Sequence, residues 1–197
     1  MTSTSSKEEC ERQVHHYQSK FPTVLPMTSL ELQEKRQRQE EPLLLVDVRT
    51  EGERQVSIIP GAISMEELTK TLDNRQDETT LVVVTYCTVG YRSGLQAQQL
   101  QEKYPNLRVY SLDGILAYSH TDSPLVDPVT GEPTRHVHAF AKPWKSCANP
   151  SYQVHCYDYP NVVGRVVQVG GLAFVRGIQH MAHLLARCCC STRKRQE

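Results

Sequence analysis

An excess of either charge is missing: 22 Lys plus Arg stand against 22 Asp plus Glu in 197 residues, which argues against a nucleic-acid partner or a uniformly basic membrane coat. A paired set of cysteines is missing too. Seven thiols at positions 10, 87, 147, 156, 188, 189 and 190, three of them adjacent, do not make a disulfide framework, so a reducing, cytoplasmic setting is expected. The opening MTSTSSKEECERQ has no apolar core, and no secretory signal or transit peptide is readable there. No stretch from Met1 to Asn161 is apolar enough to span a bilayer, and no internal repeat is visible. Tight Cys/His spacing is absent as well. His136 with His138, or His180 with His183, could share a face and join Cys147 or Cys156 as zinc ligands, but nothing in the spacing favours it, and no metal site is expected.

The length suits one domain with sizeable flanks. Residues 1–27 begin as a Ser/Thr tract, continue as helix-compatible KEECERQVHHYQSKF and are broken by Pro22 and Pro26, which predicts a loosely attached arm. From Thr28 the character changes. Thr28 and Glu31, Thr50 and Glu53, and Ser64 and Glu67 all have capping-box spacing. Glu31 with Lys35 and Glu34 with Arg38 fall at i, i+4, on what is most simply a solvated helix face. The apolar runs 42–48, 81–86 and 107–112 are of strand length, and helical patterns lie between and after them, with Leu95 and Leu100 facing inward. That alternation predicts an α/β fold, a parallel sheet flanked by helices, over residues 28–127. Prolines at 124, 128, 133, 143, 150 and 160 then mark an extended linker over 128–160, with Trp144 as an apolar anchor.

The most informative stretch is LVVVTYCTVGYRSG, residues 81–94. Cys87 ends an apolar strand, and Thr88, Val89, Gly90, Tyr91, Arg92 and Ser93 lead straight into a helix. Ligands of open α/β sheets bind beyond the carboxyl ends of strands, and backbone amides there converge above a helix N-terminus to make an anion site. Gly90 is expected at positive φ, and Arg92 adds a permanent charge with a donor fork. An ordinary thiol is only about 3% ionised at pH 7, and such surroundings favour the thiolate. Spacing alone leaves two readings open: a nucleophile in a cradle, or a small apolar residue at a turn.

The region from about Thr28 to Asp127 resembles a rhodanese domain, the sulfurtransferase fold. LLLVDVR followed by Glu53, IPGAI at 59–63 and CTVGYRS at 87–93 match the landmarks of that family, and LDGILAYSHTDSPLV at 112–126 is similar to its closing segment. Ser57 and Ile58 depart from the usual Gly-His, and Tyr118 stands where a tryptophan is common. The resemblance implies a Cys87 persulfide, formed from a small sulfane-sulfur donor such as thiosulfate and passed to a thiol or cyanide, with no metal or organic cofactor. Amides of residues 88–92 would hold the anionic sulfur and Arg92 would orient the donor. Asp47 and Arg49 belong to the same signature. For them a structural role is favoured, Arg49 pairing with Glu53 and Asp47 capping nearby backbone. Phosphatases and arsenate reductases of the superfamily separate cysteine and arginine by five residues, whereas four lie between Cys87 and Arg92, so sulfur transfer is preferred. A docking module with an idle loop is the rival from another class.

Residues 161–197 form a cationic tail, with Arg165, Arg176, Arg187, Arg193, Lys194 and Arg195 against Glu197. Arg176, His180, His183 and Arg187 make one narrow polar stripe, which predicts an amphipathic helix. Cys188, Cys189 and Cys190 beside STRKR combine candidate palmitoylation sites with a basic patch, the two signals needed for anchoring to the cytoplasmic face of a membrane. Packing of that helix on the domain, or in a homodimer, is the competing expectation, and a thiol relay that accepts sulfur from Cys87 is the third.

Overall fold

The β-branched run Val82–Tyr86 (β4) forms the middle of the sheet, where a strand must be apolar on both faces; all five of its residues are fully buried. The computed structural model describes residues 5–39, 41–74 and 81–157. Beside β4 lie Leu43–Asp47 (β2) and Arg108–Leu112 (β5), and the edges are Ile63–Ser64 (β3) and Leu25–Met27 (β1). The order is β1-β5-β4-β2-β3, and every pairing is parallel. Val46 lies opposite Thr85 and Asp47 opposite Tyr86, so the carboxyl ends of β2 and β4 deliver their following loops to one side. This is the α/β architecture expected from the sequence.

The three anticipated capping boxes are all formed. Thr28 opens Ser29–Arg38 (α2), Thr50 opens Glu51–Arg54 (α3) and Ser64 opens Met65–Asp73 (α4). A fourth box, Ser5 with Glu8, starts Ser6–Gln18 (α1). Each satisfies two backbone N–H groups that the first helical turn leaves without partners. The Glu31 carboxylate accepts from Thr28 N and Oγ1 in this cap rather than pairing with Lys35, while Glu34 and Arg38 form the expected exposed pair.

Two segments are more tightly attached than expected. In α1, Cys10, Val14 and Tyr17 are buried in the main core, and the chain continues into β1, which pairs with β5. Residues 5–27 are therefore packed on the domain rather than hanging from it. Beyond Leu125–Val126 (β6) and Pro133–Thr134 (β7), the proline-rich stretch contains His136–His138 (β8), a 3-10 helix at Lys142–Cys147 and Gln153–His155 (β9), with β8 and β9 parallel to one another. Trp144 does anchor this strap, edge-on to Tyr17 of α1.

No helix among the described residues is long and apolar enough to cross a membrane. The segment expected as a tail helix, with Cys188, Cys189, Cys190, His180 and His183, lies outside the described residues.

Candidate active site

Cys87 follows β4 directly, and Tyr91–Lys103 (α5) begins four residues later. Gly90 makes the turn between them at φ 102°, as expected of a residue that must adopt left-handed backbone. The turn is pinned from below: the Cys87 and Thr88 carbonyls accept from Ile115 and Leu116 N–H at the start of Ile115–Tyr118 (α6). Gly114 permits that approach, because a methyl there would stand 2.5 Å from the Thr88 carbonyl oxygen. The sulfur itself receives two hydrogen bonds. Gly90 N donates to Cys87 Sγ at 3.3 Å, and Ser93 Oγ donates at 3.6 Å while bonding Ser111 Oγ at 3.0 Å. A main-chain dipole and a buried hydroxyl thus aim at one sulfur atom at the mouth of a helix N-terminus.

Around that sulfur, Cys87, Thr88, Val89, Tyr91 and Arg92 enclose a cavity of about 20 Å³, closed by Phe140 and Trp144 from the strap. The space is about that of one water molecule. A larger cavity, about 570 Å³, lies between α1, the start of α2 and α6. Cys87 lines the small cavity and not this one.

The buried charges beneath the loop are arranged differently from the sequence expectation. Arg49 does not pair with Glu53. It forms a fork with Asp47, with Nη2 to Oδ2 at 2.7 Å, and donates to the Ser57 carbonyl at 2.6 Å, while Tyr86 Oη donates to Asp47 at 2.6 Å. This cluster is wholly buried and ties β2, β4 and the chain before Ile59 together. Glu53 instead receives both Nη atoms of Arg92 at 2.7 Å, together with Thr50 N and Oγ1 and Thr88 Oγ1. Its carboxyl is held down at about 2: burial works to raise it, and the Arg92 and Arg49 charges with the Thr50 cap overcome that. Arg92 is consequently a fixed strut between α3 and α5, and its guanidinium faces the Phe140 ring at 4.7 Å.

Gly114 and Phe140, which spacing did not pick out, shape the site together with Glu53, expected only as a cap and a partner of Arg49, and Trp144, expected only as an anchor. The candidate zinc residues diverge. His136 Nδ1 lies 2.9 Å from His155 Nε2, whereas buried His138 accepts from Phe140 N at 3.0 Å, and the free thiol of Cys147 neighbours that of Cys10. No group of three metal-ligating side chains occurs among the described residues.

Accepting a bond at Nδ1 requires His138 to be unprotonated there, and burial, the largest influence, pushes its pKa down to about 4. The unfolded ring takes up a proton near 6.5, so His138 contributes stability above that pH, and the contribution is lost as pH falls toward 4. Asp113 opposes this. Burial pushes its carboxyl up to about 6 from 3.8, so the folded state protonates first and gains stability over the same fall. Because the two offset one another, the ring must be followed directly. The His138 ring proton resonances are expected to titrate near pH 4; a midpoint near 6.5 would mean a solvated ring without its Phe140 contact.

Residues 29–118 match the family model described as rhodanese-like domain. No curated protein matches this chain. Similar solved structures include a thiosulfate sulfurtransferase from Pseudomonas aeruginosa, 19% identical over 66% of this chain and 24% of that one, with a TM-score of 0.49. Another is a protein of unknown function from Rhodopseudomonas palustris described as a possible tyrosine phosphatase, 20% identical over 64% and 98% of the two chains, with a TM-score of 0.43. A rhodanese-like domain protein from Staphylococcus aureus is 22% identical over 51% and 96%, with a TM-score of 0.41. The chain thus spans about a quarter of the first protein and nearly all of the other two. With its parallel sheet and a cysteine loop at the carboxyl end of the central strand, this chain carries a rhodanese-like domain at residues 29–118.

Proposed function

We propose that the chain is a sulfurtransferase in which Cys87 takes sulfane sulfur from a donor such as thiosulfate and yields it to a thiol or cyanide. The observation that carries this reading is the one-atom pocket: a cysteine sulfur receiving an amide and a hydroxyl donor beside a cavity of about 20 Å³. In the first step the Cys87 thiolate attacks the outer sulfur of thiosulfate. A new S–S bond forms, the donor S–S bond breaks, and sulfite leaves with the electron pair. In the second step the acceptor attacks the outer sulfur of the persulfide, and Cys87 leaves as thiolate, so the cycle needs no external oxidant or reductant. The Gly90 amide and Ser93 hydroxyl donate to Sγ and would stabilise the thiolate that attacks in the first step and is released at the end of the second.

The loop length argues against phosphoryl transfer, since four residues lie between Cys87 and Arg92 where phosphatases of the superfamily have five. One observation favours a docking module with an idle loop: Cys87 is only 2% exposed. Treating the full chain with thiosulfate and mapping persulfides by mass spectrometry separates the two. Sulfur transfer requires a persulfide on Cys87; its absence, with the protein folded, would leave the docking reading.

A further inference from the structure

The strap that covers Cys87 lies outside residues 29–118, and it is held in a conformation that needs an explanation. Phe140 has φ 61°, a left-handed backbone that bulky residues rarely adopt and that persists only where the surroundings impose it. Here they do. Phe140 N donates to His138 Nδ1 at 3.0 Å, and its carbonyl accepts from Tyr157 N at 3.0 Å. Tyr157 Oη in turn lies 2.7 Å from Thr50 Oγ1, the cap of α3. The strained turn carries the Phe140 ring to one place, above the Arg92 guanidinium and against Trp144, whose other edge rests on Tyr17. The result is an aromatic roof that spans from α3 to α1 and leaves room beside Cys87 for one atom.

We infer that Phe140 and Trp144 are the specificity-determining gate of the Cys87 site: a donor reaches the sulfur only by displacing this roof. This rests on Cys87 being the nucleophile. The roof closes over an atom the size of the persulfide's outer sulfur, so the closed state fits the charged intermediate and excludes both donor and acceptor. The Phe140 ring also occupies the face of Arg92 that an anionic donor would approach. Donors therefore compete with an aromatic ring for that face, and narrow anionic sulfur compounds are favoured over wide ones.

The test uses the full chain and two alkylating reagents, iodoacetamide and a dye-bearing maleimide, with each cysteine's modification followed by peptide mapping. Phe140→Gly is the informative variant, because glycine accepts the left-handed turn without strain while the ring is removed; Trp144→Ala is the second. In the wild type, Cys87 is expected to react with the maleimide far more slowly than partly exposed Cys156. Phe140→Gly is expected to raise the Cys87 rate at least about tenfold for the maleimide and less for iodoacetamide, a shift in local opening of about 1.4 kcal/mol. Buried Cys10 and Cys147 report general loosening. The inference fails if Cys87 reacts equally fast in the wild type and in both variants, or if it accelerates only in step with Cys10 and Cys147. Faster alkylation with no persulfide in any variant keeps the gate and sinks sulfur transfer; a wild-type persulfide with unchanged alkylation keeps sulfur transfer and sinks the gate.

Discussion

Cys87→Ser is expected to reduce sulfur transfer from thiosulfate to cyanide to the uncatalysed background, a loss of more than about a thousandfold, while leaving the fold intact. Serine is of similar size, and its hydroxyl can accept the bonds that Gly90 N and Ser93 Oγ now give to the sulfur, so no buried donor is orphaned and the stability cost stays within about 1 kcal/mol. Chemistry is lost because the hydroxyl is a far weaker nucleophile at neutral pH and its sulfur adduct cannot replace a persulfide. Thiocyanate formation measures the first statement and thermal unfolding the second. Retained turnover in this variant, with sulfur found on Cys156 or another thiol, would move the nucleophile elsewhere and undo the assignment.

What the sequence made legible was local, and what it hid was not. The capping boxes at Thr28, Thr50 and Ser64 formed because both partners sit within one helical turn, and the turn at Gly90 formed because only backbone geometry is involved. Strand β1 was hidden. It has three residues, includes Pro26, and gains its place only from a parallel partner about eighty residues on. The partner of Glu53 was hidden for a sharper reason. Spacing of i, i+4 suggested Arg49, but Arg49 precedes the cap of α3 and is not on the helix, so that rule does not reach it. The guanidinium that meets Glu53 comes from α5, 39 residues away, because β2 and β4 are adjacent in the sheet and their loops converge. Phe140 is the same case at greater distance. A proline-rich segment can be recognised as irregular, but where it crosses the domain is set by packing of aromatic rings that no periodicity encodes.

Glu53→Ala is expected to be the most destabilising single change near the site, by about 3–5 kcal/mol, because it leaves Arg92 buried without its counter-charge. Glu53 is completely buried and receives bonds from Arg92, Thr50 and Thr88, so its removal also orphans the α3 cap and the Thr88 hydroxyl. For a domain of this size that is a fall in Tm on the order of 10 °C. The pH dependence has a definite sign. With a folded value of about 2 against 4.5 unfolded, the carboxylate contributes its stability in full above pH 4.5 and loses it as pH falls toward 2, a contribution of about 3 kcal/mol. The difference in unfolding free energy between Glu53→Ala and the wild type should therefore be smallest near pH 2, widen as pH rises from 2 to 4.5, and stay constant above that. The matched change of both partners, Glu53→Met with Arg92→Met, is expected to recover much of the lost stability without recovering persulfide formation, since an apolar pair fills the space but gives no charge beside the sulfur. Equal stability of Glu53→Ala and the wild type at neutral pH would mean that Arg92 has another buried partner and that the strut beneath the cysteine loop is not what holds it.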